Sequence, residues 1–263
     1  MNRGATLRFL GTSDSQGVPR WWCSCTVCEE ARSEGVNART RPSVILQGAG
    51  EVVLIDAAPE LRTQLSLAGR SRVDAAVITH AHNDHIAGIT DLGDWTRWTG
   101  RSCPVYAADE VGEQLKARYG YLLSEQSDYT ARLSLRRIEG ASRSFAGYRA
   151  TAFRVPHGFN GWSYALRFDG GGATWAYMPD CLGLVDLTPW RDLDLLVLGT
   201  SFYHETAPIE TRSVYDVLEA SKLVEELKPR RVVFTHMGHG VDRRKRPPAP
   251  ATYAFDGLEL VLP

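Results

Sequence analysis

The sequence contains no apolar run of the roughly 20 residues that a bilayer crossing needs, so a membrane-spanning role is not expected. Its first residues, Met1-Asn2-Arg3-Gly4, lack the apolar core of an export signal, and the expected location is the cytoplasm. Neither sign of charge is in excess: 30 Lys and Arg stand against 31 Asp and Glu, a formal net charge of -1. That balance lacks the global footprint of a nucleic-acid or membrane partner and leaves a small molecule as the expected one. Cysteine is scarce and odd in number, five in all, and without an export signal a disulfide framework is not expected. What the chain does have is 43% apolar residues in 263, enough for a large core. It reads as a single domain over 1–263.

Short aliphatic and β-branched runs predict strands at Thr6 to Leu10, Ser43 to Leu46, Val52 to Ile55, Ala75 to Ile78 and Val105 to Ala107. Further strands are predicted at Tyr148 to Val155, Trp162 to Phe168, Ala173 to Tyr177, Leu193 to Leu198, Arg231 to Phe234 and Leu258 to Leu262. Helical periodicity predicts helices over Pro59 to Ala68, Glu110 to Tyr119 and Ser213 to Leu227, the last closed by Pro229. The order lacks the strict βα alternation of a doubly wound sheet, so the expected architecture is α/β with two mixed sheets and helices outside. No internal repeat or linker is visible. The segment Asp242 to Pro250, with Arg243, Arg244, Lys245 and Arg246, reads either as a solvated loop or as a basic lip for an anionic substrate.

The chemistry concentrates just after the predicted strand Ala75 to Ile78, in Thr79-His80-Ala81-His82-Asn83-Asp84-His85. Imidazoles and carboxylates packed this closely are costly to bury without partners. Neutral imidazole and carboxylate oxygen together suit a borderline divalent metal. His157, Asp180 and His236 each follow another predicted strand, where catalytic loops are placed, and can close the coordination spheres.

A second cluster is Cys23-Ser24-Cys25-Thr26-Val27-Cys28. Three thiolates are one ligand short of a closed tetrahedral zinc site. His239, three residues beyond His236, is the candidate fourth ligand. Free or redox-active thiols are the alternative.

The run His80-Ala81-His82-Asn83-Asp84-His85 resembles the HxHxDH signature of metallo-β-lactamase-fold hydrolases, and His157, Asp180 and His236 resemble the later motifs of that superfamily. The resemblance implies an αββα sandwich with a two-metal site between the sheets. It places His80, His82 and His157 on one ion and Asp84, His85 and His236 on the other, with Asp180 bridging and Asp56 supporting the metal loop. A bridging hydroxide formed by the two ions would be the nucleophile. The stretch Gly11-Thr12-Ser13-Asp14-Ser15-Gln16-Gly17-Val18-Pro19, with the cysteine trio and Thr235-His236-Met237-Gly238-His239, is similar to PhnP-type phosphodiesterases, a branch that includes PqqB-like proteins. This implies a structural zinc on Cys23, Cys25, Cys28 and His239, in a loop at about 11–30, apart from two catalytic ions that could be zinc, manganese or iron.

The match weakens where that branch carries a further histidine assisting the leaving group: here the sequence reads Ile209-Glu210-Thr211-Arg212-Ser213-Val214. His204 is the candidate acid from a shifted position, and Asp84 joins it as a candidate catalytic group. Arg212, Tyr203 and Trp95 are candidate substrate contacts. The leading expectation is hydrolysis of a small phosphodiester, such as a cyclic sugar phosphate. The alternatives are a PqqB-like iron-dependent oxygenase or a hydrolase of a thioester or lactam. The sequence is compatible with a homodimer but does not fix the assembly.

Overall fold

The computed structural model describes residues 4–33, 35–123, 132–138 and 143–262. Among them the first strands are β1 (Thr6–Gly11), β2 (Ser43–Gly48), β3 (Glu51–Ile55), β4 (Ala75–Val77), β5 (Cys103–Ala107) and β6 (Leu133–Arg137). There follow β7 (Arg143–Phe145), β8 (Tyr148–Pro156), β9 (Trp162–Gly170), β10 (Ala173–Met178), β11 (Leu195–Gly199), β12 (Val232–Thr235), β13 (Ala251–Tyr253) and β14 (Glu259–Val261). The helices are α1 (Thr26–Ser33), α2 (Leu61–Leu67), α3 (Asn83–Ile86), α4 (Ile89–Thr99), α5 (Asp109–Leu123) and α6 (Val217–Leu227).

The strands form two seven-stranded sheets, in the orders β14-β1-β2-β3-β4-β5-β6 and β13-β12-β11-β10-β9-β8-β7. Each sheet is half antiparallel and half parallel. In the first, the pairs from β14 through β3 are antiparallel and those from β3 through β6 parallel. In the second, the pairs from β7 through β10 are antiparallel and those from β10 through β13 parallel. This is the expected sandwich of two mixed sheets with helices.

Alternation sets the layers. Leu195 and Val197 of β11 point into the inter-sheet core with Leu7, Phe9, Leu54, Trp175 and Tyr177. Leu196 and Leu198 point the other way and pack under α6, against Val217, Ala220, Val224 and Leu227. A central strand buried on both faces must be apolar at every position, which is why Leu195–Gly199 reads as an unbroken aliphatic run. Trp175 stacks on Phe168 at 4.0 Å between ring centroids and anchors the middle of the sandwich.

The structure revises several boundaries. The helix predicted from Ser213 begins at Val217, because Asp216 caps it: Asp216 Oδ1 accepts the Glu219 N–H (2.7 Å) and Glu219 Oε2 accepts the Asp216 N–H (3.1 Å). Residue 215 is tied elsewhere, its N–H donating to the Cys181 carbonyl at 3.1 Å. The short strands β6, β7 and β13 and the helices α1, α3 and α4 are additions to the sequence reading. β6, β7 and β13 lie at sheet edges, where one side of the strand faces no neighbour and the apolar signal is weak. The basic segment 242–250 runs as loop into β13. Arg244 is tied to Asp242 (2.9 Å), and the groove holding Arg243, Lys245 and Arg246 is lined by residues 243–255, none of them a candidate ligand.

Candidate metal centre

The parallel halves of the two sheets deliver most of the site. β3 ends at Ile55, and Asp56 follows in a left-handed backbone conformation (φ 61°), fully buried. Its carboxylate accepts the Thr79 N–H at 2.8 Å and the Thr79 hydroxyl at 2.9 Å. His85 Nδ1 lies 2.8 Å from the same carboxylate and donates to it. That bond fixes the tautomer and turns the lone pair of His85 Nε2 inward.

β4 ends at Val77 and the chain stays extended through His82 (φ −73°, ψ 150°), then turns into α3. The i, i+2 pair His80 and His82 therefore comes from extended chain, whereas Asp84 and His85 come from the first helical turn. His80 Nδ1 donates to Thr79 Oγ1 (3.1 Å), whose own proton goes to Asp56, so His80 also presents Nε2 inward. His157 follows β8 and donates from Nδ1 to the Ser213 carbonyl at 2.8 Å. Gly158 must come next: at φ 52° a Cβ there would lie 2.1 Å from the Arg212 carbonyl oxygen.

The inward atoms converge. His82 Nδ1 lies 2.9 Å from His80 Nε2 and 3.2 Å from His157 Nε2. In the adjoining group, His85 Nε2 is 3.2 Å from Asp84 Oδ2 and 2.8 Å from Asp180 Oδ2. His236 Nε2 is 3.4 Å from Asp84 Oδ2 and 3.1 Å from Asp180 Oδ1. Asp180 Oδ2 also sits 3.2 Å from His80 Nε2, so this one carboxylate touches both groups. Among the described residues, His85 Nε2, His236 Nε2 and Asp180 Oδ1 are buried with no hydrogen-bond partner. Inward lone pairs facing one another at such distances, with the outer nitrogens of His80, His85 and His157 already bonded, fit divalent cations between them.

The charges balance in the same way. Burial and the neighbouring His85, His157 and His82 hold His80 well below the usual imidazole range. Burial pushes His85 the same way, but Asp84, Asp56 and Asp180 overcome it and hold His85 well above. Burial likewise opposes ionisation of Asp180, yet His236, His85 and His157 keep its carboxyl well below the usual carboxylate range. The carboxylates demand positive charge at this spot.

The cysteine cluster is separate. Cys23, Cys25 and Cys28 Sγ lie 3.2, 3.5 and 3.6 Å from His239 Nδ1, and the four ligand atoms lie within 4.8 Å of one another. Cys28 is buried on α1, and burial pushes its thiol up to about 11. Cys25 precedes α1. Burial opposes its ionisation, but hydrogen bonds from the Cys28 N–H and from the Cys23 and Cys28 side chains bring it down. Arg20 ties the cluster to the rest, with its guanidinium 3.0 Å from His239 Nε2 and 2.8 Å from Asp14 Oδ2.

A cleft of about 210 Å³ opens beside His236, lined by Asp14, Ser15, Ser201, Phe202, Glu205 and Arg212 among others. Arg212 reaches it, but both ends of its fork are engaged by Glu219, Nη1 at 2.9 Å, so it braces the wall rather than offering a free clamp. His204 sits on the same loop, exposed, with Nδ1 3.3 Å from the buried Asp216. Tyr203 beside it is exposed. Trp95 is placed elsewhere: it packs on the core and lines a surface groove with Leu65, Arg70 and Asp91 that holds no candidate ligand. Sequence reasoning did not single out Phe202, Ser201, Ser15 or Thr79. Ser15 and Thr79 fall within sequence motifs, but nothing in a sequence shows which side chains face a cleft or steady a neighbour.

The family described as Beta-lactamase superfamily domain matches residues 51–237. A crystal structure of a diphosphatase from the PhnP family superposes with a TM-score of 0.85 at 30% identity, covering 98% of each chain. Zinc-bound PqqB from Methylobacterium extorquens superposes with a TM-score of 0.78 over 98% of this chain and 100% of that one, and at 19% identity it shows the fold. Among curated sequences, an octanoyltransferase of Porphyromonas gingivalis is 40% identical over 116 residues, 43% of this chain and 23% of the relative. Coenzyme PQQ synthesis protein B of Cupriavidus taiwanensis is 33% identical over 126 residues, 43% of this chain and 40% of the relative. The chain thus spans less than half the length of these curated relatives.

Proposed function

The chain belongs to the β-lactamase superfamily and, within it, to the PhnP family; from that membership we propose that it is a dinuclear metal-dependent hydrolase of a small phosphodiester. The observation that carries this reading is the pair of adjoining buried triads, His80/His82/His157 and Asp84/His85/His236, with Asp180 touching both. Each triad would hold one divalent ion, and Cys23, Cys25, Cys28 and His239 a structural zinc. Bound cations at such a site generate a nucleophile from water near neutral pH and neutralise charge on the attacked group.

The chain's own residues do the rest. Asp56, Thr79 and the Ser213 carbonyl hold three imidazoles in one tautomer, which would leave these three already turned toward a bound ion. Asp84, whose Oδ2 lies 3.2 Å from His85 Nε2 and 3.4 Å from His236 Nε2, would be the carboxylate that takes a proton from the attacking water. His204, on the loop that lines the cleft and oriented by Asp216 through Nδ1, would use Nε2 to protonate the leaving oxygen. Phe202 supplies an apolar wall, and Ser15 and Ser201 supply hydroxyls for a small anionic molecule.

The test is a panel assayed after stripping and reloading with zinc, manganese or iron: bis-p-nitrophenyl phosphate, cyclic ribose phosphates, a nucleoside diphosphate sugar and a thioester. Turnover of the diesters is expected, unchanged without dioxygen. Turnover confined to the diphosphate would favour the activity named for the 30%-identical PhnP-family relative. A requirement for dioxygen would favour an oxygenase and overturn the hydrolytic reading.

A further inference from the structure

Arg39 is buried, at 3% exposure, yet no carboxylate pairs with it among the described residues. Its five N–H donors go to neutral oxygens instead. Nε donates to the Met237 carbonyl (2.9 Å), and Nη2 donates to the carbonyls of Gly238 and Val241 (both 2.8 Å). Nη1 donates to the Asn37 carbonyl (3.0 Å) and Asn37 Oδ1 (3.3 Å). Burying a guanidinium without an ion pair is costly, and the return here is geometric: three of the five acceptors lie on one turn, 237–241.

That turn carries His236 at one end, in a left-handed conformation (φ 57°), and His239 near its middle. It is pinned from other sides too. The Met237 N–H donates to the Thr12 carbonyl and the Gly238 N–H to the Ser201 carbonyl, both at 2.8 Å. A Cβ on Gly238 would lie 2.3 Å from Asp14 Oδ2. With the peptide units of 237 and 238 fixed, His236 faces the carboxylate group and His239 faces the thiols.

We propose that Arg39 is a positioning residue that sets this single turn for two metal centres at once, making occupancy of the cysteine cluster and of the His236 site depend on one guanidinium. The proposal rests on the reading that both clusters bind metal.

The test is cobalt titration of the chelator-stripped full chain and of Arg39→Lys, which keeps the charge and loses the planar fork. The thiolate-to-cobalt charge-transfer band reports the cysteine cluster, and total bound cobalt reports the remaining sites. In Arg39→Lys, the cysteine cluster and one further site weaken by about 10- to 100-fold while the His80/His82/His157 site keeps its affinity. Equal affinities at all sites in a folded Arg39→Lys protein overturn the proposal, and so does equal weakening at every site, which would mark general loosening. If Arg39→Lys fails to fold, Asn37→Ala, which removes one of the five acceptors, decides: a smaller loss at the same two sites supports the proposal, and no loss overturns it. An unmodified chain that binds no cobalt sinks the metal reading first and this proposal with it.

Discussion

The two ligand clusters sit one turn apart and are built on opposite plans. The histidine-carboxylate cluster draws its members from the ends of β4, β8, β10 and β12, across both sheets, and all but His82 are nearly fully buried. His80, His85 and His157 each have the outer nitrogen bonded to Thr79, Asp56 or the Ser213 carbonyl. The cysteine cluster takes three ligands from six consecutive residues, with Cys23 and Cys25 only half-buried. The first is held together by hydrogen bonds that the fold itself supplies. The second is a local loop with one distant ligand, the kind of site whose order depends on its metal.

That contrast can be broken most forcefully at His82. Its Nδ1 meets both His80 and His157, so His82→Ala leaves that triad with two ligands. Diester hydrolysis should fall by more than the roughly 100-fold typical of losing a supporting partner, while one zinc stays on the cysteines. Metal analysis beside kinetics reads both, and loss of the cysteine zinc would erase the claimed independence. Asp56→Asn removes no ligand but lets His85 turn, and it should weaken metal affinity by about 10- to 100-fold in an equilibrium titration. A substrate-dependent effect is expected at His204, outside the triads. His204→Ala should slow a diester with an alkoxide leaving group by about 100-fold and barely touch a p-nitrophenyl ester, whose leaving group needs no acid. Equal losses on both substrates would remove His204 from the acid role.

The same contrast explains what was legible in the sequence. Side chains that follow strand ends announce themselves as His and Asp just after aliphatic runs, and His80, His82, Asp84, His85, His157, Asp180 and His236, which the fold brings together, all stood out in this way. The cysteine spacing was legible for the same local reason. Aiming was not: Thr79, Ser213 and Arg39 are ordinary residue types whose role depends on which carbonyl or carboxylate the fold sets opposite. Arg212 and Trp95 show the reverse failure. Each has side-chain chemistry suited to a substrate contact, but Glu219 occupies the fork of one and core packing takes the ring of the other. The mirrored parallel halves of the two sheets were equally hidden, because pairing partners leave no mark within a single strand.

The least disruptive test for activity is Cys25→Ser, and it bears most directly on the local character of the second cluster. Replacing one thiolate leaves three ligands of the four and should release the zinc. What remains at that end is the Arg20–Asp14 pair at 2.8 Å, the backbone bridge between Ser13 and Met237, and the hold of Arg39 on residues 237–241. These keep His236 in place, so activity should stay within a few-fold of the unmodified enzyme. Stability should not: losing the clip between residues 23–28 and 239 should lower Tm, by roughly 2–4 °C for each kcal/mol lost in a chain of about this size. A chelator too weak to strip the buried cluster should then lower the Tm of the unmodified protein by the same amount and leave that of Cys25→Ser unmoved. If Cys25→Ser instead loses its activity and the two buried ions together, the clusters are one unit, and the contrast between a fold-held site and a metal-made one fails.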